Sequence, residues 1–221
     1  FTFAPVVTCS NLERAAVNNG QSRRFAAATN ADVLFIDISD GAVIPGDAEH
    51  LVPFVKGAPA IITNNVNVSK GISNGTRCTL QTLHFKELPQ FTSFRGGWLA
   101  NAAPKAISVR VGDATVVLRR QWSEKTTLGT TTLSFGVEMA FSYTFHKSQG
   151  CTLERVVVEG NKRPGRSLGV LSLQALYVAI SRVRMCRDMR FVPPRGEGMT
   201  YLVNLKPVTE INAFLASIAD A

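Results

Sequence analysis

The run HKSQG at residues 146–150 interrupts two apolar stretches, "AFSYTF" before it and "RVVVE" after it. A bare turn needs only small or turn-forming residues. This one gathers an imidazole, an ammonium, a hydroxyl and an amide around one glycine. Cationic and hydroxyl donors hold phosphate oxygens without reading base sequence. Gln149 offers a donor and an acceptor, and Gly150 lets the backbone turn sharply or approach a ligand closely. A second chemistry-bearing stretch is "LYVAISRVR", in which Arg182 follows Ser181. A planar guanidinium suits phosphate oxygens better than an ammonium does. In phosphoryl transfer, a cation brought to the γ-phosphoryl group accelerates reaction by about 10³ to 10⁵. Arg184 is a second candidate, although two residues further along a helix it points elsewhere. Standing alone, both arginines read as solvated cations at a helix C-terminus.

Several other chemistries lack their residues. His146 has no GxSxG nucleophile elbow to accompany it, which argues against a hydrolase triad. No GxxxxGK[ST] phosphate loop occurs, nor an acidic pair at the end of a buried strand for magnesium, so the chain alone does not build a complete ATPase site. Cys9, Cys78, Cys151 and Cys186 stand far apart with no CxxC pair, which favours reduced thiols over a zinc site or a disulfide framework. No apolar stretch is long enough to span a bilayer and no signal core is visible, so no membrane partner is expected. The formal charge of +8 over 221 residues suits a polyanionic partner, or a solvated basic surface, because Lys and Arg are dispersed rather than run together.

These residues need elements to hold them. The 45% hydrophobic content supplies a globular core. The chain starts with Phe on a strand-like "FTFAPVVT", which suggests a fragment. Ser10 and Glu13 form a capping-box pattern ahead of a helix at "LERAAVNNGQSRRFAAAT". Strands follow at "ADVLFIDIS" and, after a Gly- and Pro-rich connector, at "VKGAPAIITNNV". From Asn74 the pattern is of short strands with close turns, "NGTRCTLQTLHF" and then "AISVRVGDATVVLRR" about a Gly-Asp turn, as in a small β-barrel. Strand and helix alternation returns with "AFSYTF", "RVVVE", a helix at "LSLQALYVAISRV", and strands at "MRFV" and "TYLVNL". A last helix is predicted from Pro207, with Ile211, Phe214, Leu215 and Ile218 on one face. The whole reads as an α/β layer interrupted by a β insertion.

At this point "TFHKSQGCTLERVVVEG" with "LYVAISRVR" resembles the fifth and sixth motifs of superfamily-one, RecD-like DNA helicases of the PIF type, a group that includes the helicases of Helitron-like transposons. "VKGAPAIITNNVNVSKGISNGTR" is similar to the segment leading into that family's inserted barrel, and "APVVTCSNLERAAVN" to its fourth motif. The motifs keep the family's order and span nearly the whole chain. The resemblance implies a second RecA-like motor lobe with an inserted small β-barrel subdomain: residues 1–73 as the first part of the lobe, 74–140 as the insertion, and 141–221 as the second part. It implies ATP and Mg²⁺ bound chiefly by an N-terminal RecA-like lobe of the same parent protein, single-stranded DNA as partner, and 5′-to-3′ movement. It makes Arg182 the catalytic arginine finger, puts Gln149 and Gly150 on the nucleotide side, and gives Thr144, His146, Lys147 and Ser148 to the single strand.

Departures from the family pattern are local. Relatives often place an arginine just before the asparagine of the fourth motif, where this chain has Ser10 before Asn11; the nearest arginine, Arg14, is the remaining candidate for the nucleotide. Cys151 and Glu154 replace an aliphatic residue and an Asp. Lys70, Arg77, Arg119 and Arg120 lie in or beside the insertion, either as a basic wall along DNA or as solubilising surface. Trp98 and Trp122 either stack on bases or, as is commoner for a lone tryptophan, fill the core. A competing reading is a non-catalytic single-stranded nucleic-acid-binding module or degenerate helicase fragment; a third is an interaction module that uses the insertion. The expected location is intracellular, and nuclear or mitochondrial in a eukaryote.

Overall fold

The computed structural model describes residues 2–37, 51–125, 130–160, 172–193, 202 and 205, with the side chains of 122–133 outside that description. It divides into two units, Phe1–Val17 with Ser142–Ala221, and Asn18–Phe141.

The chain enters through β1 (Val6–Thr8), buried at all three positions. The helix α1 (Asn11–Thr29) starts where the sequence predicts. Ser10 Oγ accepts from the Glu13 amide at 3.2 Å, while the Ser10 amide and hydroxyl both donate to Glu13 Oε2 at 3.0 Å. This reciprocal box satisfies amides that the first helical turn leaves open. At the other end Asn30 takes a left-handed φ of 50°, a conformation asparagine tolerates as a helix stop.

Two larger sheets fill the Asn18–Phe141 unit. The first has the order β3-β2-β7-β6: β2 (Val33–Asp37) pairs antiparallel with β3 (Leu51–Val55) and parallel with β7 (Gly97–Ala100), which pairs in turn with β6 (Phe91–Phe94). The sequence pattern reads residues 51–54 as connector and gives no sign of the β6–β7 hairpin. Pro53 and the short length of these runs mask their alternation, but Phe54 and Val55 are buried and the pairing to β2 is continuous. The second sheet, in the order β12-β4-β5-β8-β9, is antiparallel throughout. It comprises β4 (Pro59–Ile62), β5 (Arg77–His84), β8 (Ala106–Val111), β9 (Ala114–Arg119) and β12 (Val137–Met139). Gly112, at φ 56°, begins the two-residue turn from β8 to β9, as the Gly-Asp pair predicts. β10 (Gln121–Lys125) and β11 (Thr130–Ser134) form a separate hairpin. The division expected at residue 73 falls between β4 and β5, which are hydrogen-bonded neighbours with Ala60 opposite Cys78.

The other unit resumes with β13 (Ser142–Thr144) and holds α2 (Phe145–Ser148), β14 (Val156–Glu159), α3 (Leu173–Ile180) and β15 (Met189–Val192). Its sheet, β13-β1-β14-β15, is parallel at every pairing. Parallel neighbours need crossover connections, and α3 lies on the one between β14 and β15. Val7, Phe145, Leu153, Val156, Val158 and Ala179 form the core, which explains the near-continuous apolar strands. The strand expected at "TYLVNL" and the final helix from Pro207 lie outside the described residues, except that Leu202 and Leu205 pack against this core. No helix among the described residues is long and apolar enough to cross a membrane.

Candidate nucleotide and nucleic-acid site

The HKSQG run sits at the end of a buried parallel strand. Thr144 closes β13, and its Oγ1 accepts from the Lys147 amide at 3.4 Å, capping the single turn of α2. Phe145 anchors that turn in the core. Ser148, with no exposed surface, donates from Oγ to the Phe145 carbonyl at 2.8 Å. The chain then closes tightly: the Gln149 amide donates to His146 O at 3.3 Å and the Cys151 amide to Ser148 O at 3.1 Å. Gly150 takes a φ of 75°, and a Cβ there would meet no atom within 4 Å. Backbone conformation, rather than crowding, therefore demands the glycine.

This geometry sorts the run into two sets. Thr144 and Ser148 are buried and hold the turn together, whereas His146, Lys147, Gln149 and Gly150 face solvent. The resemblance gives Thr144 and Ser148 to a single strand along with the His-Lys pair, although a capping turn is the more natural reading for Ser148; both hydroxyls bond backbone groups of the turn.

Arg182 stands against the same turn. The sequence pattern carries the helix through Val183, but α3 ends at Ile180 with Ser181 as its C-cap, so Arg182 and Arg184 lie beyond it and helical spacing does not set their directions. The Arg182 guanidinium donates from Nε to Val178 O at 2.8 Å and from Nη2 to Ser181 Oγ at 2.7 Å. From Nη1 it reaches Ser148 O at 3.4 Å and Cys151 O at 3.3 Å. Its own carbonyl accepts from the Leu153 amide at 2.8 Å. The turn after α2 and the segment after α3 are thus fastened through one arginine. Arg184 is exposed.

The remaining candidates are spread out. Arg14 is half-buried in the first turn of α1, where its amide donates to Ser10 O at 3.0 Å. Lys70, Arg77 and Arg119 are exposed, and the Arg120 guanidinium lies 5.8 Å from the Phe135 ring centre. Among the described residues no group of three or more His, Cys, Asp or Glu side chains could hold a metal ion. Trp98 departs from the core placement that its type favours: it is 44% exposed and donates from Nε1 to Asp32 Oδ1 at 3.3 Å.

No protein-family model matches the chain, and no curated protein matches it. Solved structures do match. The chain superposes over 98% of its length on a Pif1 helicase from Candida albicans, with a TM-score of 0.61 and 16% identity, covering 50% of that chain. A structure of DNA unwinding at forked double-stranded DNA by two coordinating Pif1 helicases matches all of this chain and 45% of its own, at TM-score 0.57 and 17% identity. A Bacteroides Pif1 bound to single-stranded DNA matches 97% of this chain and 45% of its own, at TM-score 0.55 and 17% identity. The chain therefore has a mixed α/β fold like that of the Pif1-type helicases over its whole length. It spans about half the length of these structures.

Proposed function

We propose that this chain is the second, RecA-like motor lobe of an ATP-dependent DNA helicase, with its antiparallel strands forming the inserted small barrel. In this reading His146 and Lys147 grip single-stranded DNA, and Gln149, Gly150 and Arg182 meet ATP bound with Mg²⁺ by a partner lobe. Movement along the strand is 5′ to 3′.

The observation that carries the proposal is the attachment of Arg182 to the carbonyls of Ser148 and Cys151. A guanidinium has five N–H groups, and four of them go to Val178, Ser148, Cys151 and Ser181. Delivery of Arg182 to a γ-phosphate exchanges the Nη1 bonds to neutral carbonyls for charge-assisted bonds to phosphate oxygens, which are stronger. That exchange releases the turn carrying His146 and Lys147, so nucleotide state and strand grip are coupled through one side chain. The open space around Gly150 suits approach of a nucleotide. The Pif1 structures matched include one with single-stranded DNA and one with ADP-AlF3 and single-stranded DNA, which supports both ligands.

The test uses an intact parent enzyme. Arg182→Ala should abolish DNA-stimulated ATP hydrolysis, with single-strand binding persisting but no longer responding to ATP; wild-type turnover in that variant removes the finger. The sequence contains no GxxxxGK[ST] segment, which keeps a second reading in play, a non-catalytic strand-binding module. DNA affinity indifferent to ATP in the unsubstituted parent, with no DNA-stimulated ATP hydrolysis, would establish it.

A further inference from the structure

Within the Asn18–Phe141 unit, a cleft of about 400 Å³ opens between the second half of α1 and the β6–β7 hairpin, with Arg23, Asp32, Arg95, Gly97 and Trp98 on its walls. Its volume falls in the range of small-molecule sites. The residues of the HKSQG turn and Arg182 take no part in it.

Three observations single it out. Trp98 is 44% exposed, although tryptophan is highly buried on average. Its bond to Asp32 uses the N–H edge of the indole, whereas a base stacks on a ring face.

The two arginines are the second. Neither the Arg23 nor the Arg95 guanidinium has a hydrogen bond or ion pair among the described residues. Arg23 lies 5.9 Å from the centre of the Phe35 ring and Arg95 5.0 Å from that of Phe94. The two rings meet edge to face at 5.3 Å. A chain of Arg23, Phe35, Phe94 and Arg95 thus backs the cleft with two guanidiniums against the one carboxylate of Asp32.

Third, Arg95 has a φ of 47° and Gly96 a φ of 77°, both positive, in the two-residue turn between Phe94 and Gly97. Such a turn favours Asn, Asp or Gly at its first position. A long side chain with a Cβ is strained there, and strain of this kind collects at functional sites.

We propose that this cleft is a second subsite for single-stranded nucleic acid, in which one base stacks on Trp98 and the neighbouring phosphates take Arg23 and Arg95. The proposal rests on the reading of the chain as a DNA motor lobe. An aromatic face with flanking cations is the sequence-tolerant means of holding a single strand. The surplus of one positive charge matches a strand, which offers one charge per phosphate, better than a free nucleoside triphosphate, whose charges are concentrated.

Trp122→Phe leaves Trp98 as the sole tryptophan of the 221-residue chain. In that background a labelled oligo-dT of about 12 nucleotides, within the span of single-strand binding modules, is titrated at low salt and followed by strand anisotropy and by Trp98 emission. The expected result is quenching along the same isotherm as the anisotropy. In the otherwise unaltered chain, Trp98→Ala weakens binding about tenfold. Arg95→Gly, which relieves the turn, lowers the steepness of log affinity against log salt by about 0.7 with thermal stability unchanged or raised. If the strand binds but Trp98 emission is constant and both variants bind like the parent, the subsite is overturned while the motor-lobe reading stands. If ATP quenches Trp98 at the same concentrations as the oligonucleotide, the assignment to a strand is overturned. Absence of any anisotropy change overturns this proposal and the strand-gripping function together.

Discussion

Arg182 Nη1 lies 3.3 Å from the carbonyl oxygen of Cys151, so the residue after the cap of α3 closes the turn that follows α2. The adjoining bond to Ser148 O and the Nε bond to Val178 O make the guanidinium a three-way fastener. A lysine ammonium carries a point charge and no fixed fork, and cannot reproduce all three.

Arg182→Lys therefore separates charge from geometry. In an intact parent enzyme both Arg182→Ala and Arg182→Lys should lower kcat by about 10³ or more, the scale of a lost arginine finger. Arg184→Ala should change it less than tenfold. In this chain alone, Arg182→Ala should cost about 1.5–3 kcal/mol, the range for a hydrogen bond to a charged group. It should also speed amide exchange at Cys151 and Leu153, whose N–H groups are bonded to Ser148 O and Arg182 O. Unchanged exchange at both would show that Arg182 does not hold the turn.

The two sets within the HKSQG run should respond oppositely. Ser148→Ala removes a fully buried hydroxyl from the Phe145 carbonyl and should cost about 1 kcal/mol of stability, with single-strand affinity unchanged. His146→Ala with Lys147→Ala alters exposed groups and should move stability by about 0.5 kcal/mol or less. The same pair should weaken binding and flatten its salt dependence by about 0.7 for each phosphate that is no longer neutralised. Chemical denaturation and anisotropy titration across salt check the two halves. A double variant with parental affinity at every salt removes the proposed strand-gripping role of this pair.

Much of this organisation is legible in the residues themselves. Val156 and Val158 in β14 are fully buried, and their run of valines reads as a strand. The Ser10–Glu13 spacing marks the start of α1 because capping is local chemistry. What the sequence hides depends on the third dimension. Ser148 and His146 are two residues apart, yet one faces the core and the other solvent, since a single helical turn rotates them to different sides. Trp98 reads as core because its type is usually core; only the pairing of β7 beside β2 leaves it at a cleft. Residues 51–54 read as connector because the partner strand, Val33–Asp37, is needed to see them as part of an edge strand.

The capping box offers a direct measure of how far α1 depends on its first turn. Ser10→Ala removes the acceptor for the Glu13 amide and should destabilise by about 0.5–2 kcal/mol. Glu13→Gln keeps a side-chain oxygen for the Ser10 amide and should cost less, as both residues serve this position. Equal losses in urea titrations would mean that the carboxylate charge at the helix start contributes as much as the serine cap.

Cys78 supplies the pH dependence. It lies on β5 opposite Ala60, is 7% exposed, and burial pushes its thiol up from the ordinary 9.0 to about 12. Removal from water disfavours the thiolate. Between those two values the unfolded chain has lost a proton that the folded chain keeps. Stability from this group is therefore complete below pH 9 and is lost as pH rises from 9 towards 12. The measure is the difference between the parent and Cys78→Ala in urea unfolding at several alkaline pH values; the variant should lack the Cys78 part of the decline. At neutral pH an alkylating reagent should modify exposed Cys186 first and leave Cys78 until the chain unfolds. Equal rates at Cys78 and Cys186 in the folded protein would show that the β4–β5 pairing does not shield the thiol.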